Sequence, residues 1–339
     1  MSSQLTKYSK LKYIKTIGIV NNNPIGRGFA SPVDLAFNSD AKRIYVLNRG
    51  VPYYHRVGVF TFDDEYLYEF SSFGDAPGQL KQPTGIAVDK SNRVYVTDEF
   101  HNKVIVFDEE GNFIQDWGEA GPDVDQLNSP AAIDIDQNDN IYITCQDSHR
   151  VQIFTTEGRF VKGFGSFGHG DGQFNMPWGV DKAPDGHIFV ADWRNDRIQK
   201  LSPDGHFVGS FGSSGSGDGE FDRPSNVEVD SEGLIYVADW NNQRVQVFDS
   251  RFNHVETLLG EATLSSWAKE YYSANPEEMA TREISDLRPR KLPEHMDTAY
   301  LASSQIEPHF WGPISVNLDL EGRLFVAETS RHRFQIYEK

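Results

Sequence analysis

"IFVADWRNDRIQKLSPDGHF" (residues 188–207) is followed 47 residues later by "IYVADWNNQRVQVFDSRFNH" (residues 235–254). In both copies an alternating run of β-branched and aromatic residues ends in Ala-Asp, a short polar loop closes on Arg, and a second alternating run leads into a turn. Alternation with a period of two marks half-buried strands, so the doubled text encodes a doubled strand pair. Repetition of such a unit every 40 to 50 residues is the signature of an array or a closed ring.

The period extends over nearly the whole chain. Six prolines each open a short apolar run, at Pro32, Pro83, Pro130, Pro177, Pro224 and Pro313, with spacings of 51, 47, 47, 47 and 89 residues. The fifth unit therefore carries an insertion of about 42 residues. Each unit reads as four strands, and its joints are turn chemistry, as at Pro184-Asp185-Gly186, Ser231-Glu232-Gly233, Glu109-Glu110-Gly111 and Pro203-Asp204-Gly205. Four-stranded units set six times around an axis predict an all-β fold, a six-bladed β-propeller forming a single domain over residues 1–339. The last unit stops at Gln335-Ile336-Tyr337 after three strands, while residues 13–18 (YIKTIG) resemble the fourth strand at residues 207–212 (FVGSFG). The N-terminal strand is thus expected to complete the last blade and leave no open edge.

Composition narrows the function. The 339 residues are 38% hydrophobic, enough to bury a core, and no apolar run reaches the length of a membrane span. With 50 acidic against 32 basic residues the formal net charge is −18, and no basic patch stands out, which disfavours nucleic acid and anionic membrane surfaces as partners. A single cysteine, Cys145, leaves no disulfide framework, and the first 20 residues lack a signal-peptide core; both point to a cytoplasmic protein. Gly-x-Ser-x-Gly and phosphate-loop motifs are missing, and the one Gly-x-Gly-x-x-Gly spelling, residues 163–168, opens no helical text and so is no dinucleotide fingerprint; no nucleotide cofactor is expected.

The units resemble the NHL-repeat family, whose pattern runs Pro-x-Gly-Val-Ala-Val-Asp, then aromatic-Val-Ala-Asp-x-x-Asn-x-Arg-Ile. "VADWRNDRIQ" and "VADWNNQRVQ" carry that resemblance, which extends from residue 12 to 339 apart from the insertion. It implies the propeller fold; as to function, such propellers include enzymes, binding modules and protein scaffolds. Strand alternation places the connection before each proline and the loop between second and third strands on one rim, here called the top, where a pocket at the channel mouth is expected. The acids that open those loops (Asp98, Asp192, Asp239, Glu328) and the bases five residues on (Lys103, Arg197, Arg244, Arg333) read as braces of the loop and the neighbouring blade.

Function is sought where the repeat is broken. Histidine precedes the repeated base at His55, His149 and His332, where other units have Asn102, Asp196 and Gln243, and His101 sits one place earlier in the second unit. Imidazoles converging on a channel suit zinc or a similar metal. The chain resembles, more weakly, the peptidyl-hydroxyglycine amidating lyases, which place a zinc-ligand histidine in this loop; that likeness implies His55, His149 and His332 as ligands. It also calls for a tyrosine and arginines near the metal, making Tyr54, Arg49 and Arg194 catalytic candidates. Asn-His-Arg is equally a structural spelling of the same loop. Inner strands carry Asp134, Asp181, Glu228 and Asn317 where the first two units have Ala36 and Ala87, an alternative site for calcium or magnesium, or a hydrated acidic channel. Trp178, Trp193, Trp240 and Trp311 fall on top-rim segments, either as packing between blades or as stacking walls for a flat ligand.

The insertion, residues 261–308, begins with helical text (LSSWAKEYY, then NPEE with proline at the first helical position) and leaves and re-enters on the top rim. As a lid it would add Tyr271, Tyr272, His295, Tyr300 and His309 to a pocket wall; packed along the side, it would serve a homo-oligomer contact. The sequence thus predicts a small-molecule pocket at the top of the channel, in a metal-assisted lyase or hydrolase in which Tyr54 or His309 moves a proton. The competing reading is a non-catalytic scaffold for a protein partner.

Overall fold

Each anchoring proline begins an inner strand, and each inner strand starts a four-stranded antiparallel sheet. The computed structural model describes residues 10–20, 26–50, 54–121, 123–286 and 289–339; residues 51–53 of the first blade's long loop and 287–288 of the insertion lie outside them. Six sheets of four strands follow one another around an axis, the first comprising Pro32–Phe37, Ile44–Gly50, Tyr54–Phe60 and Tyr66–Phe70. The middle strands are almost wholly buried, Val94–Asp98 and Ile188–Asp192 throughout, whereas an outermost strand such as Phe113–Trp117 is largely exposed. Blade-to-blade packing of these apolar faces is the core. Family glycines on the inner strands have a steric reason: a Cβ on Gly179 would stand 2.6 Å from the Cα of Asn226 in the next blade.

The ring closes as the sequence predicts. The N-terminal strand Lys12–Ile17 pairs antiparallel with Arg333–Glu338, giving the last blade its fourth strand. In that way the two ends of the chain share one sheet, and no blade is left with three strands.

The insertion does two separate jobs. Its first helix, α1 (Ser266–Ala274), lies on the seam between the last and first blades. Ser265 caps it, accepting from the Ala268 N–H, and donates its hydroxyl to the Gly18 carbonyl 2.6 Å away. Trp267 is 1% exposed, packs on Phe60 and Phe29 at ring separations of 5.2 and 5.7 Å, and donates its indole N–H to the Asp64 carbonyl. Asp64 also takes an ion pair from Lys15 on the N-terminal strand at 3.0 Å. A second helix, α2 (Pro276–Ile284), continues outward with no buried residue, as the proline at its first position predicts. The third, α3 (Ala299–Gln305), returns to the top rim. Of the described residues of the insertion, Tyr300 of α3 stands at the pocket, and α1 fastens the ring.

Trp267→Ala should therefore cost about 3–5 kcal/mol in a urea titration, the range for truncating a buried aromatic. An unfolding midpoint equal to that of the unaltered protein would show that the seam does not depend on α1.

Candidate functional site

Two positions of every blade supply the top of the channel. Strand pairing sets each proline opposite the residue near the end of the second strand: Pro32 with Asn48, Pro83 with Asp98, Pro130 with Cys145, Pro177 with Asp192, Pro224 with Asp239 and Pro313 with Glu328. The residues after the prolines are Val33, Thr84, Ala131, Trp178, Ser225 and Ile314; those after the paired positions are Arg49, Glu99, Gln146, Trp193, Trp240 and Thr329. Seven of these twelve line a cavity of about 500 Å³: Val33, Arg49, Trp178, Trp193, Trp240, Ile314 and Thr329. Ser31, Trp311, Ser330, His332 and, from α3, Tyr300 complete its wall.

The indoles are arranged in pairs with neighbours. Trp178 and Trp193 stand 5.6 Å apart at 53°, and Trp311 meets the Tyr300 ring at 5.3 Å. Arg331 holds α3 in place by donating to the carbonyls of Ser303, Ser304 and Ile306, while its guanidinium lies over the Trp311 ring. The Arg49 N–H donates to the Ser31 carbonyl at 3.0 Å, but its guanidinium has neither a hydrogen bond nor an ion pair with any described residue. Burial pushes its pKa down, and Glu99 and Asp98 act on it only as more distant charges that pull the other way.

The repeated polar text proves structural. Asp192, fully buried, accepts from the Asn175 N–H at 2.7 Å and from Arg197 at 2.8 Å, and Arg197 reaches on to the Gly170 and Gln173 carbonyls of the incoming connection. Asp239 with Arg244 and Glu328 with Arg333 repeat this, each at 2.7 Å. Lys103 departs from it, pairing with Asp116 in place of Asp98.

The histidines belong to a second structural series. His332 Nδ1 accepts the Ser31 N–H at 2.8 Å and His149 Nδ1 the Met176 N–H at 3.1 Å. Asn102, Asp196 and Gln243 do the same for Ser129, Arg223 and Gly312. In every case the amide is that of the residue before the next blade's proline, and all five acceptors sit at positive φ between 49° and 58°. His55, inside a strand and paired with Arg49, packs its ring against Phe73 at 5.2 Å. The three imidazoles expected to share a metal lie in blades 1, 3 and 6, two of them accepting a seam amide, and among the described residues no three His, Cys, Asp or Glu stand together as metal ligands. Of the three, His332 alone lines the top cavity. Its Nδ1 accepts a backbone N–H, so the neutral ring carries its proton on Nε2, and burial lowers its pKa.

The remaining candidates divide sharply. All four tryptophans and Arg49 line the cavity; Tyr54, Arg194, His101 and His309 do not. Arg194 is exposed over the Trp193 ring, His101 lies 3.1 Å from Asp75 and 3.2 Å from Asp98, and His309 lends its carbonyl to Arg333. Ser31, Thr329 and Ser330 went unnoticed in the sequence, although Thr329 occupies the same repeat position as Trp193 and Trp240.

The other end of the channel is acidic. A cavity of about 410 Å³ is lined by Asp34, Asp134, Asn226, Glu228 and Asn317 together with apolar residues. These acids tie inner strands together: Asp34 accepts the Ile86 N–H at 3.0 Å, Asp134 the Lys182 N–H at 2.7 Å and Glu228 the Leu318 N–H at 3.4 Å, each in another blade. Burial pushes Asp34 up to about 7 and raises Asp134. Asp181 is pushed well up by burial and by Glu228, and Glu228 by burial and by Asp134. Asp134, Asp181, Glu228 and Asn317 thus share the axis, but no three acids come together as cation ligands, and the calcium alternative lacks its site.

A carboxyl whose pKa is higher folded than unfolded stabilises the fold below its unfolded pKa of about 3.8 and loses that contribution as pH rises through about 7. Asp34→Asn should therefore remove about 2–3 kcal/mol from the fall in unfolding free energy between pH 5 and pH 8. Denaturant titrations at the two pH values check this; an unchanged pH slope would mean that Asp34 ionises as an ordinary carboxylate.

Comparisons with known proteins agree with this architecture. Residues 174–201 and 221–248 match the NHL repeat, and residues 79–162 match a 6-bladed beta-propeller family. No curated protein matches the chain in sequence. Among solved structures, virginiamycin B lyase from Staphylococcus aureus superposes at a TM-score of 0.56 with 11% identity, over 97% of this chain and 99% of that one. A structural genomics protein of unknown function from Bacteroides thetaiotaomicron gives 0.60 with 16% identity over 96% and 75% of the two chains. The Kuenenia stuttgartiensis hydrazine synthase gives 0.55 with 13% identity, covering 95% and 99%. Identities this low speak for the fold alone. By its blade count and its mode of closure the chain is a six-bladed β-propeller, and it carries NHL repeats at residues 174–201 and 221–248.

Proposed function

We propose that the protein binds a flat, largely apolar small molecule in the top cavity. The observation that carries this reading is the convergence of four tryptophans and Tyr300 on one recessed space of about 500 Å³, within the usual range for small-ligand pockets. A scaffold for protein partners would favour indoles spread over an open rim; here they are half-buried around a hollow, with a helix of the insertion at its edge.

A metal-assisted lyase or hydrolase has less support, because the histidines meant to hold the metal are distributed among blade seams. The part left for chemistry is hydrogen-bond donation: His332 presents Nε2–H, and the neighbouring hydroxyls of Ser31, Thr329 and Ser330 complete a polar margin. The virginiamycin B lyase likeness supports the shape of the propeller and carries no substrate across.

Isothermal titration with 2-naphthalenemethanol, an uncharged bicyclic probe, tests the site. Binding should be measurable and should weaken at least about tenfold in the Trp178→Ala/Trp240→Ala double variant, which removes two walls. Absence of binding, or binding untouched by the double variant, would overturn the assignment.

A further inference from the structure

The charge of the cavity's wall is opposite to that of the protein. In a chain with 50 acidic residues, none of the twelve residues lining the top cavity is Asp or Glu, and the single formal charge among them is Arg49. A guanidinium in a half-buried position normally has a carboxylate within salt-bridge reach, as Arg197, Arg244 and Arg333 do in this same protein. Arg49 lacks one among the described residues. Asp98 is already engaged by the Lys81 and Gln82 amides, and Glu99 by Gln82.

His332 has the same polarity, offering Nε2–H because its Nδ1 is taken by the Ser31 N–H. Two donors thus stand in the wall of a cavity whose broad faces are aromatic. A ligand that matches such a wall has a planar π-system for the indoles and an anionic, acceptor-only group for the donors; an ammonium group would face Arg49 with like charge.

We propose that the top cavity is a site for an aromatic carboxylate, its rings among Trp178, Trp193, Trp240 and Trp311 and its carboxylate on Arg49, with His332 Nε2–H donating beside it. This rests on the reading of the cavity as a ligand site and adds the class of ligand. Arg, with its planar fork, is the cation suited to take a carboxylate in two parallel hydrogen bonds.

Three probes of one ring system test the proposal on the full chain by isothermal titration: 2-naphthoate, 2-naphthalenemethanol and 2-naphthylmethylammonium. The naphthoate should bind at least about tenfold more tightly than the alcohol, and the ammonium more weakly than the alcohol. Arg49→Met should bring the naphthoate down to the alcohol's affinity in that same variant, with an unfolding midpoint matching the unaltered protein showing that it is folded; Arg49→Lys should recover part of the preference. Equal binding of naphthoate and alcohol in the unaltered protein, or a naphthoate preference that survives Arg49→Met, overturns the charge assignment alone. Failure of all three probes overturns the cavity reading itself.

Discussion

One hydrogen bond sets the geometry of the ring. The residue before each inner-strand proline sits where its N–H has no strand partner, and at five of the six seams a side chain from the preceding blade accepts it: Asn102, His149, Asp196, Gln243 or His332. The acceptor is held in the left-handed region, at a φ of 54° for Asn102 and 53° for His332, so the loop can turn its side chain toward the next blade. A bond made the same way at five of six steps keeps the rotation from blade to blade constant, and a constant rotation is what allows a chain to close after six units. The first seam departs from the series: blade 1 has the long loop, and the Gln82 N–H is accepted within its own blade by Asp98 at 3.1 Å.

That constraint gives histidine a structural part in two of these loops, at His149 and His332. Imidazole, carboxamide and carboxylate are interchangeable as acceptors of one backbone N–H, and the units spell the position with all three. A metal site would need the imidazoles to be turned inward together; the seams turn each toward its own neighbour. The substitution of His for Asn, Asp or Gln at an aligned position was itself the sign of a shared acceptor role, and it was visible in the repeat.

Fold and closure were legible because both are written in periodic text: the anchoring prolines give the blade count, and the orphan strand at residues 13–18 has a copy at 207–212 to be compared with. Trp267 was not legible in the same way. It lies in the insertion, where no second copy says which face is buried, and its partners Phe29, Phe60 and Asp64 are some 200 residues distant in sequence. The inner acids were placed correctly on the axis, yet their role depends on which amide each meets across a blade boundary, and this is information that a single blade's text does not hold.

The two variable positions of each blade show how a symmetric ring makes an asymmetric site. Blades 2 and 3 fill them with Thr84, Glu99, Ala131 and Gln146, and Thr84 is turned to a structural bond with the Pro130 carbonyl at 2.8 Å. Blades 4, 5, 6 and 1 supply the bulk and the charge of the cavity wall. The cavity is consequently off the axis, under the junction where the chain leaves blade 5 for the insertion and returns to blade 6. An insertion at any other seam would have brought its Tyr300 to the wrong side. Because these positions stand outside the amide bonds that hold the blades, they can change without disturbing those bonds, and the ring can keep its geometry while one sector of its rim acquires four indoles and a guanidinium.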